Sequence, residues 1–588
     1  MKTEQEKISL VIDGIRTEVE HGATIMEAAD EVGVNIPRLC YHPELSILGA
    51  CRICVVELEE SGNLVASCST PVQEGMKVRT SSPELRRHRR DIVELILDNH
   101  PKDCQTCVRD GNCELQDRAY SLGVRERLFE GERKRYPEDN SSPSIHREPE
   151  KCILCGRCVR ACDEVQGVTN LWQQNRGFES VAAPAHNADI MDSVCIHCGQ
   201  CVNVCPTASI VENNVTDDVF EALADPDLHV VVQTAPSIRA ALGEGFGYPP
   251  GTPVTGKMVT ALKRMGFDAV FDTDLGADLT ILEEAEEFLK RFKSGEKLPL
   301  ITSCSPGWIS FLETFYPELI PHASTCKSPM SMLSSLTKSY YAEQEGIAPE
   351  NIYSVAAMPC TAKKYEAARP EHEAPWGDPY TDAVLTTREL IWMCKCMGVD
   401  FRNLPDSQFD RPLGTATGGG DIFGTTGGVT EAALRTAYER FTGETLTEVD
   451  FMQVRGVQGL KEATIELNGS DINIGVANGL ENAKELFERL QNGKKEYHML
   501  EIMACPGGCV GGGGQPYPPE DTFALDPELV KKRAQALYTI DSSKNLRKPH
   551  ENPDIKELYS YYLGEPNSER AHELLHTSYT PRERQGIR

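Results

Sequence analysis

Two stretches share one spacing: CILCGRCVRAC at residues 152–162 and CIHCGQCVNVCP at residues 195–206. Each is a C-x2-C-x2-C-x3-C run, and the second closes with proline, the pattern by which a short segment wraps a 4Fe-4S cube. In two-cluster proteins of this pattern the fourth cysteine of each run crosses to the other cube. The spacing therefore predicts one cube on Cys152, Cys155, Cys158 and Cys205, and a second on Cys195, Cys198, Cys201 and Cys162. C-x2-C pairs also bind structural zinc. Two four-cysteine runs, one ending in Cys205-Pro206, fit cubes better. The repeat predicts a two-cluster 4Fe-4S ferredoxin-like domain over 150–215.

Working toward the N-terminus, the same logic recurs. Of 22 cysteines in the 588 residues, most precede residue 206 in four tight groups, which disulfide scaffolds in a chain this long do not produce. Residues 82–99 (SPELRRHRRDIVELILDN) read as an amphipathic helix, followed by His100-x3-Cys104-x2-Cys107-x5-Cys113. Three thiolates and one imidazole make a complete ligand set, and the neutral imidazole removes one negative charge from the cluster. This predicts a His/Cys3 4Fe-4S domain over 81–130. The polar, proline-punctuated 131–149 (GERKRYPEDNSSPSIHREP) reads as a linker. Further upstream, KISLVIDGIRTEVE (7–20) alternates apolar and polar residues about Asp13-Gly14, a hairpin signal. A helical stretch (TIMEAADEVG, 24–33) then leads to Cys40, Cys51, Cys54 and Cys68, spaced C-x10-C-x2-C-x13-C. This predicts a β-grasp 2Fe-2S domain over 1–80, although the spacing is not the plant-type C-x4-C-x2-C. The N-terminal part is thus read as α+β iron-sulfur domains in series.

Composition sets the outer limits. Sixty Lys plus Arg against 89 Asp plus Glu leave a net charge of −29, which excludes a general nucleic-acid binder. Residues 1–14 contain no apolar signal core, and no stretch approaches the ~20 apolar residues of a membrane span, so a soluble, cytoplasmic protein is expected. In that reducing compartment, metal or redox chemistry is the expected use of thiols.

From about Asp217 the texture changes. HVVVQTA (229–235) and DAVFDT (268–273) are buried-strand runs separated by helical stretches, so 216–588 reads as an α/β catalytic domain. Its cysteine-bearing segments are TSCSPGW (302–308), MPCTAKKYE (358–366) and EIMACPGGCVGGGGQP (501–516).

These three segments resemble the signature motifs of the iron-only (FeFe) hydrogenases, and the resemblance, with its accessory domains in the same order, spans essentially the whole chain. It implies a buried 4Fe-4S cube joined through a cysteine sulfur to a diiron unit bearing CO, cyanide and a bridging dithiolate. By position Cys360, Cys505 and Cys509 match cube ligands, with Cys509 as the bridge, and Lys363 matches the lysine facing a cyanide. Pro236, Ser237, Met358, Phe423, Gly424 and Met503 match the shell around the diatomic ligands. Cys304, Glu284, Ser324 and Glu287 fall at the family's proton-relay positions, and Glu284 and Glu287 share a helical face. Relatives commonly carry adjacent cysteines where this chain has Cys304-Ser305. Either Cys304 ligates the cube and the relay changes, or Cys304 stays the relay and Ser305 or another group ligates. Thiolate is the better iron ligand, which favours Cys304. Met330 stands where relatives often have glutamine. Cys326, Cys394 and Cys396 are left over and read as inert buried thiols.

The resemblance implies a hydrogenase catalytic subunit with three accessory 4Fe-4S clusters and one 2Fe-2S cluster, catalysing 2 H+ + 2 e- ⇌ H2. Relatives of this length are often subunits of NAD(P)-linked, sometimes electron-bifurcating, assemblies completed by a flavin/NAD(P)-binding subunit and a small thioredoxin-like 2Fe-2S subunit. Service by ferredoxin alone is the alternative, and no G-x-G-x-x-G unit appears in the chain. Two other readings compete: an electron-relay subunit of complex I or formate dehydrogenase type, and a hydrogen-sensing homologue. The stretch after about Ser543 carries no cysteine and reads as a helical wrap.

Overall fold

Asp13 and Gly14 both take positive φ, 48° and 84°, so the chain reverses tightly there. Strands Lys7–Ile12 and Ile15–Glu20 pair antiparallel from Lys7↔Glu20 to Ile12↔Ile15. They form one side of a five-stranded sheet ordered Ile15–Glu20, Lys7–Ile12, Met76–Arg79, Val55–Leu58, Asn63–Ala66. Helix Ile25–Glu31, fixed by a Thr24/Glu27 capping box, buries Ile25 and Met26 against Leu10, Ile12 and Val56. The computed structural model describes residues 7–126, 129, 131–467, 469–492, 496–519 and 522–582; the expectations placed on 1–6 and 583–588 lie outside them.

Ser82 caps helix Pro83–Asp98 by accepting from Leu85 N, and the helix buries Leu85 and Val93. Val93 packs with Leu115 of helix Glu114–Leu122 and with Leu39 and Ile53 of the first domain. The expected linker over 131–149 is corrected over its second half, 139–149, which is packed. Its last part is strand Ile145–Arg147, paired antiparallel with Ile210–Glu212 beyond the second cysteine run. Ser142, Ser144, Ile145 and Arg147 are buried. The polar side chains of its second half are hydrogen-bonded inside, Ser142 Oγ to His197 Nδ1 at 3.0 Å and Asp139 accepting from Ile190 N at 2.9 Å, while 131–138 stays largely exposed.

The large domain holds two four-stranded sheets. One is wholly parallel, ordered Ala269–Asp272, His229–Thr234, Ile352–Met358, Ala383–Thr386. The other is ordered Leu300–Thr302, Met499–Met503, Ser470–Asn478, Leu460–Leu467, its last pair antiparallel. Helix Thr273–Ser294, capped at Asp272 and stopped by left-handed Gly295, runs between them and is buried along most of its length. The C-terminal helices Pro553–Leu558 and Glu569–Leu575 pack on the cluster formed by Leu275, Leu279, Met332 and Leu336. Their anchor is Glu283, which accepts from Tyr559, from Asn567 N at 2.6 Å and from His576 Nε2 at 3.1 Å. Among the described residues no helix is long and apolar enough to cross a membrane.

Candidate active site

Five parallel strands deliver the residues that matter, each at its carboxyl end, where open α/β sheets expose their loops. Thr234 leads to Pro236, Asp272 to Thr273, Thr302 to Cys304, Met358 to Cys360, and Met503 to Cys505. Their tips surround one buried cavity between the two sheets. It is lined by four cysteines, Cys304, Cys360, Cys505 and Cys509, together with Ser305. Pro236, Met330, Met358, Phe423, Gly424 and Met503 supply its apolar wall, and Lys363 its one cationic side chain among the described residues. Ser237 lies next to this wall, fully buried, its Oγ without a hydrogen-bond partner among the described residues. Gly508 has φ +96°, and a Cβ there would come within 2.7 Å of Thr426 N, so only glycine lets this loop close over the cavity.

Lys363 is buried, yet its ammonium stays charged. Burial alone would lower its pKa, but Glu366, at 2.6 Å, and the Cys304 sulfur raise it. Glu366, three residues after Lys363 on the same helix face, is the partner that the MPCTAKKYE motif does not single out by itself. Cys304 is drawn toward the thiolate by a hydrogen bond with Cys509 and by Lys363, against the effect of burial. The donor set therefore fits a cube with an attached anionic group: soft sulfurs on one side, apolar space on the other, one buried cation and one unsatisfied hydroxyl.

The acidic run is not a solvated face. Glu284 is buried and accepts from Thr302 Oγ1 at 2.7 and 2.9 Å. Burial pushes its carboxyl up to about 7, against the hydrogen bonds of Thr302 and Ser324. Ser324 Oγ donates to Glu287 at 3.2 Å, and Arg291 holds Glu287 from the other side at 2.5 Å. Glu284, Ser324 and Glu287 are thus brought into one line; Thr302 and Arg291 belong to it and were missed by the sequence reading.

The accessory cysteines lie close to one another within their groups. Cys54 and Cys68 sulfurs are 3.4 Å apart, and Cys51 N donates to Cys40 Sγ at 3.4 Å. Each pair shares a proton: the hydrogen bond from Cys51 lowers Cys40 and raises Cys51, and the one from Cys68 lowers Cys54 and raises Cys68. His100, Cys104, Cys107 and Cys113 lie on one loop between two helices, with Cys104 exposed and Cys113 donating to Pro206 O at 3.7 Å. Cys162, Cys195, Cys198 and Cys201 line a single cavity. Cys205 instead lies near Cys152, Cys155 and Cys158. Gln200 Nε2 donates to Gly511 O at 3.0 Å and Thr361 Oγ1 to His197 O at 2.7 Å, so the second run abuts the active-site loops. Of the leftover thiols Cys326 and Cys394 are buried, but Cys396 is exposed, correcting that expectation: it sits on the outer face of the last turn of helix Thr387–Cys396.

Comparison with known proteins agrees with this geometry. Residues 228–513 match the family described as iron-only hydrogenase large subunit, C-terminal domain, and 527–582 the iron hydrogenase small subunit. A 2Fe-2S iron-sulfur cluster binding domain matches over 5–83, the NADH-ubiquinone oxidoreductase-G iron-sulfur binding region over 89–127, and a 4Fe-4S dicluster domain over 151–209. The chain is 50% identical to the NADP-reducing hydrogenase subunit HndD of Solidesulfovibrio fructosivorans, covering 98% of this chain and 99% of that protein. It is 40% identical to iron hydrogenase 1 of Clostridium pasteurianum, over 97% and 99%. A solved structure of the FeFe-hydrogenase HydA1 from Chlamydomonas reinhardtii superposes with a TM-score of 0.55 at 43% identity, covering 62% of this chain and 98% of its own. The NADH-ubiquinone oxidoreductase-G match covers 89–127, whereas the hydrogenase match covers 228–513 and a hydrogenase subunit matches nearly the whole chain, which favours the hydrogenase over the relay-subunit reading. The chain belongs to the iron-only hydrogenase family, as a hydrogenase catalytic subunit that carries its own iron-sulfur relay domains.

Proposed function

We propose that Cys304, Cys360, Cys505 and Cys509 ligate the active-site cube, with Cys509 bridging, and that Glu284, Ser324 and Glu287 carry protons between the cavity and solvent. When bound, the cube and diiron unit supply the reversible conversion of two protons and two electrons to H2. The chain's own residues do the rest. Lys363 places a fixed positive charge where an anionic ligand would sit, and Glu366 keeps it oriented. Pro236, Met358, Phe423, Gly424 and Met503 exclude water, and the free Ser237 hydroxyl offers a hydrogen bond. Glu284, poised near neutrality, both accepts and releases a proton without a large penalty. With Cys304 on the cube, Thr302 is the hydroxyl that orients Glu284.

Electrons pass through the clusters of Cys40/Cys51/Cys54/Cys68, His100/Cys104/Cys107/Cys113 and the two cubes. The contacts of Gln200 and Thr361 with the active-site loops support the second cube as the last carrier. The proposed units are 1–80, 81–130, 150–215 and 216–588. Likeness to an NADP-reducing hydrogenase subunit supports a cytoplasmic, multisubunit enzyme that exchanges electrons with NAD(P)(H), and with ferredoxin if it bifurcates, through a flavin/NAD(P)-binding subunit and a thioredoxin-like 2Fe-2S subunit. One observation carries the reading: four cysteines from three distant segments converge on one apolar cavity with a single buried lysine. The test is an infrared spectrum of anaerobically matured protein, with H2 evolution from reduced viologen on the same sample. Bands in the CO and cyanide region with turnover are expected; their absence from fully matured protein would refute the assignment.

A further inference from the structure

A second cavity adjoins the first across the Cys304–Ser305 peptide. It is about 20 Å³, room for one water molecule, and shares Cys304, Ser305 and Pro306 with the active-site cavity. Neither Glu284 nor Thr302 lines it. Its other walls include Ser328, Glu366 and His372, with the partly exposed Thr577 and Tyr579. Glu366 accepts there from Ser328, from Ser331 at 2.8 Å and from Lys363. Burial would raise this carboxyl, but the Lys363 charge and the hydrogen bonds from Lys363 and Ser328 hold it below its ordinary value. His372 is buried, and its Nδ1 has no hydrogen-bond partner among the described residues. Burial brings the imidazole down to about 4, with Lys327, Arg369 and Lys363 adding to the effect and Glu366 opposing it, so the ring is neutral. A neutral imidazole offers one donor and one acceptor, and a buried ring nitrogen in a polar cavity calls for a partner.

We propose that Ser305, Ser328, Glu366 and His372 form a second proton branch between the active-site cavity and solvent, an inference that rests on the hydrogenase reading above. The serine at 305 is what opens it. Ser305 lines both cavities, and a serine hydroxyl can donate and accept at once, whereas a cysteine bound to iron as thiolate has no proton to pass. Each member takes a proton on one side and releases one on the other, so no charge accumulates and no bond other than O–H and N–H changes. Lys363 keeps its proton and holds Glu366 in place.

The test uses matured holoenzyme with Glu284→Gln, which closes the first route, alone and combined with His372→Asn or with Ser305→Ala. H2 evolution is measured together with the relaxation of the CO and cyanide infrared bands after a pH jump, a readout independent of steady-state turnover. The proposal expects residual turnover in Glu284→Gln and a further loss of at least about tenfold in both rates for either double variant. Wild-type band positions at equilibrium certify folding and assembly, and the two independent second blocks guard against failure of either one. Double variants that turn over and relax like Glu284→Gln alone would overturn the branch, as would a Glu284→Gln enzyme with no residual turnover. A wild-type protein without bands or turnover would instead refute the hydrogenase reading itself.

Discussion

The two cysteine runs and the active-site cavity bind the same metal by opposite means. In the runs, consecutive ligands sit within one short loop, and the backbone repeats itself: Leu154 and His197 have φ 53° and 59°, Gly156 and Gly199 φ 69° and 72°. Local conformation alone presents those sulfurs. In the cavity, Cys304, Cys360 and the Cys505/Cys509 pair follow strands of two different sheets and span 205 positions of sequence. There the whole α/β domain is the ligand scaffold. A locally encoded site can lose one ligand and harm only its own cluster; a globally encoded one links ligand, cation and proton route.

Cys509→Ala probes that contrast hardest. It should abolish the CO and cyanide bands and cut turnover by more than about 1,000-fold, leaving the accessory-cluster EPR signals intact. Loss of those signals too would mean that the two regions assemble as one unit. Next, Glu284→Gln should lower turnover by roughly 10²–10⁴ with unchanged band positions. In the wild type a protonated carboxyl band should titrate near pH 7 and be missing from the variant. The sign for stability follows: the native state keeps a proton that the unfolded chain releases above about pH 4.5. Stability owed to Glu284 is therefore lost as pH rises from there to about 7, and thermal unfolding of the variant should lack that slope. His100→Cys adds a thiolate charge to a neutral-ligand position. The midpoint potential of that cluster should fall in an EPR redox titration, with viologen-driven turnover changed only a few-fold. Smallest, Gln200→Ala removes one hydrogen bond between the second run and the active-site loop, about 1 kcal/mol or roughly fivefold in electron delivery to the cavity, read by rapid-mix kinetics.

Most of the accessory architecture was legible in advance, because its signals are short-range. The Asp13-Gly14 turn and the amphipathic helix read over 82–99 each act within a few residues, and the structure realises them where they were expected. The second half of the linker, 139–149, was misread because polarity in a sequence does not say whether a side chain meets water or a buried partner; Asp139 and Ser142 meet partners. Glu366, Thr302 and Arg291 escaped for a related reason. Their importance lies in what they touch, and Thr302 and Glu284 meet only because helix Thr273–Ser294 lies against strand Leu300–Thr302.

What the sequence determined by itself is the inventory: which thiols and imidazole are available, in what local spacing, on a strongly acidic chain, and the one departure at Cys304-Ser305. What only the tertiary structure decided is adjacency. The pairing of Lys363 with Glu366, the burial that brings Glu284 to about 7, and the small cavity that joins Ser305 to His372 all arise where packed elements meet. Electrostatics and proton transfer act through space over a few ångströms, and that distance is written in no single segment of the chain.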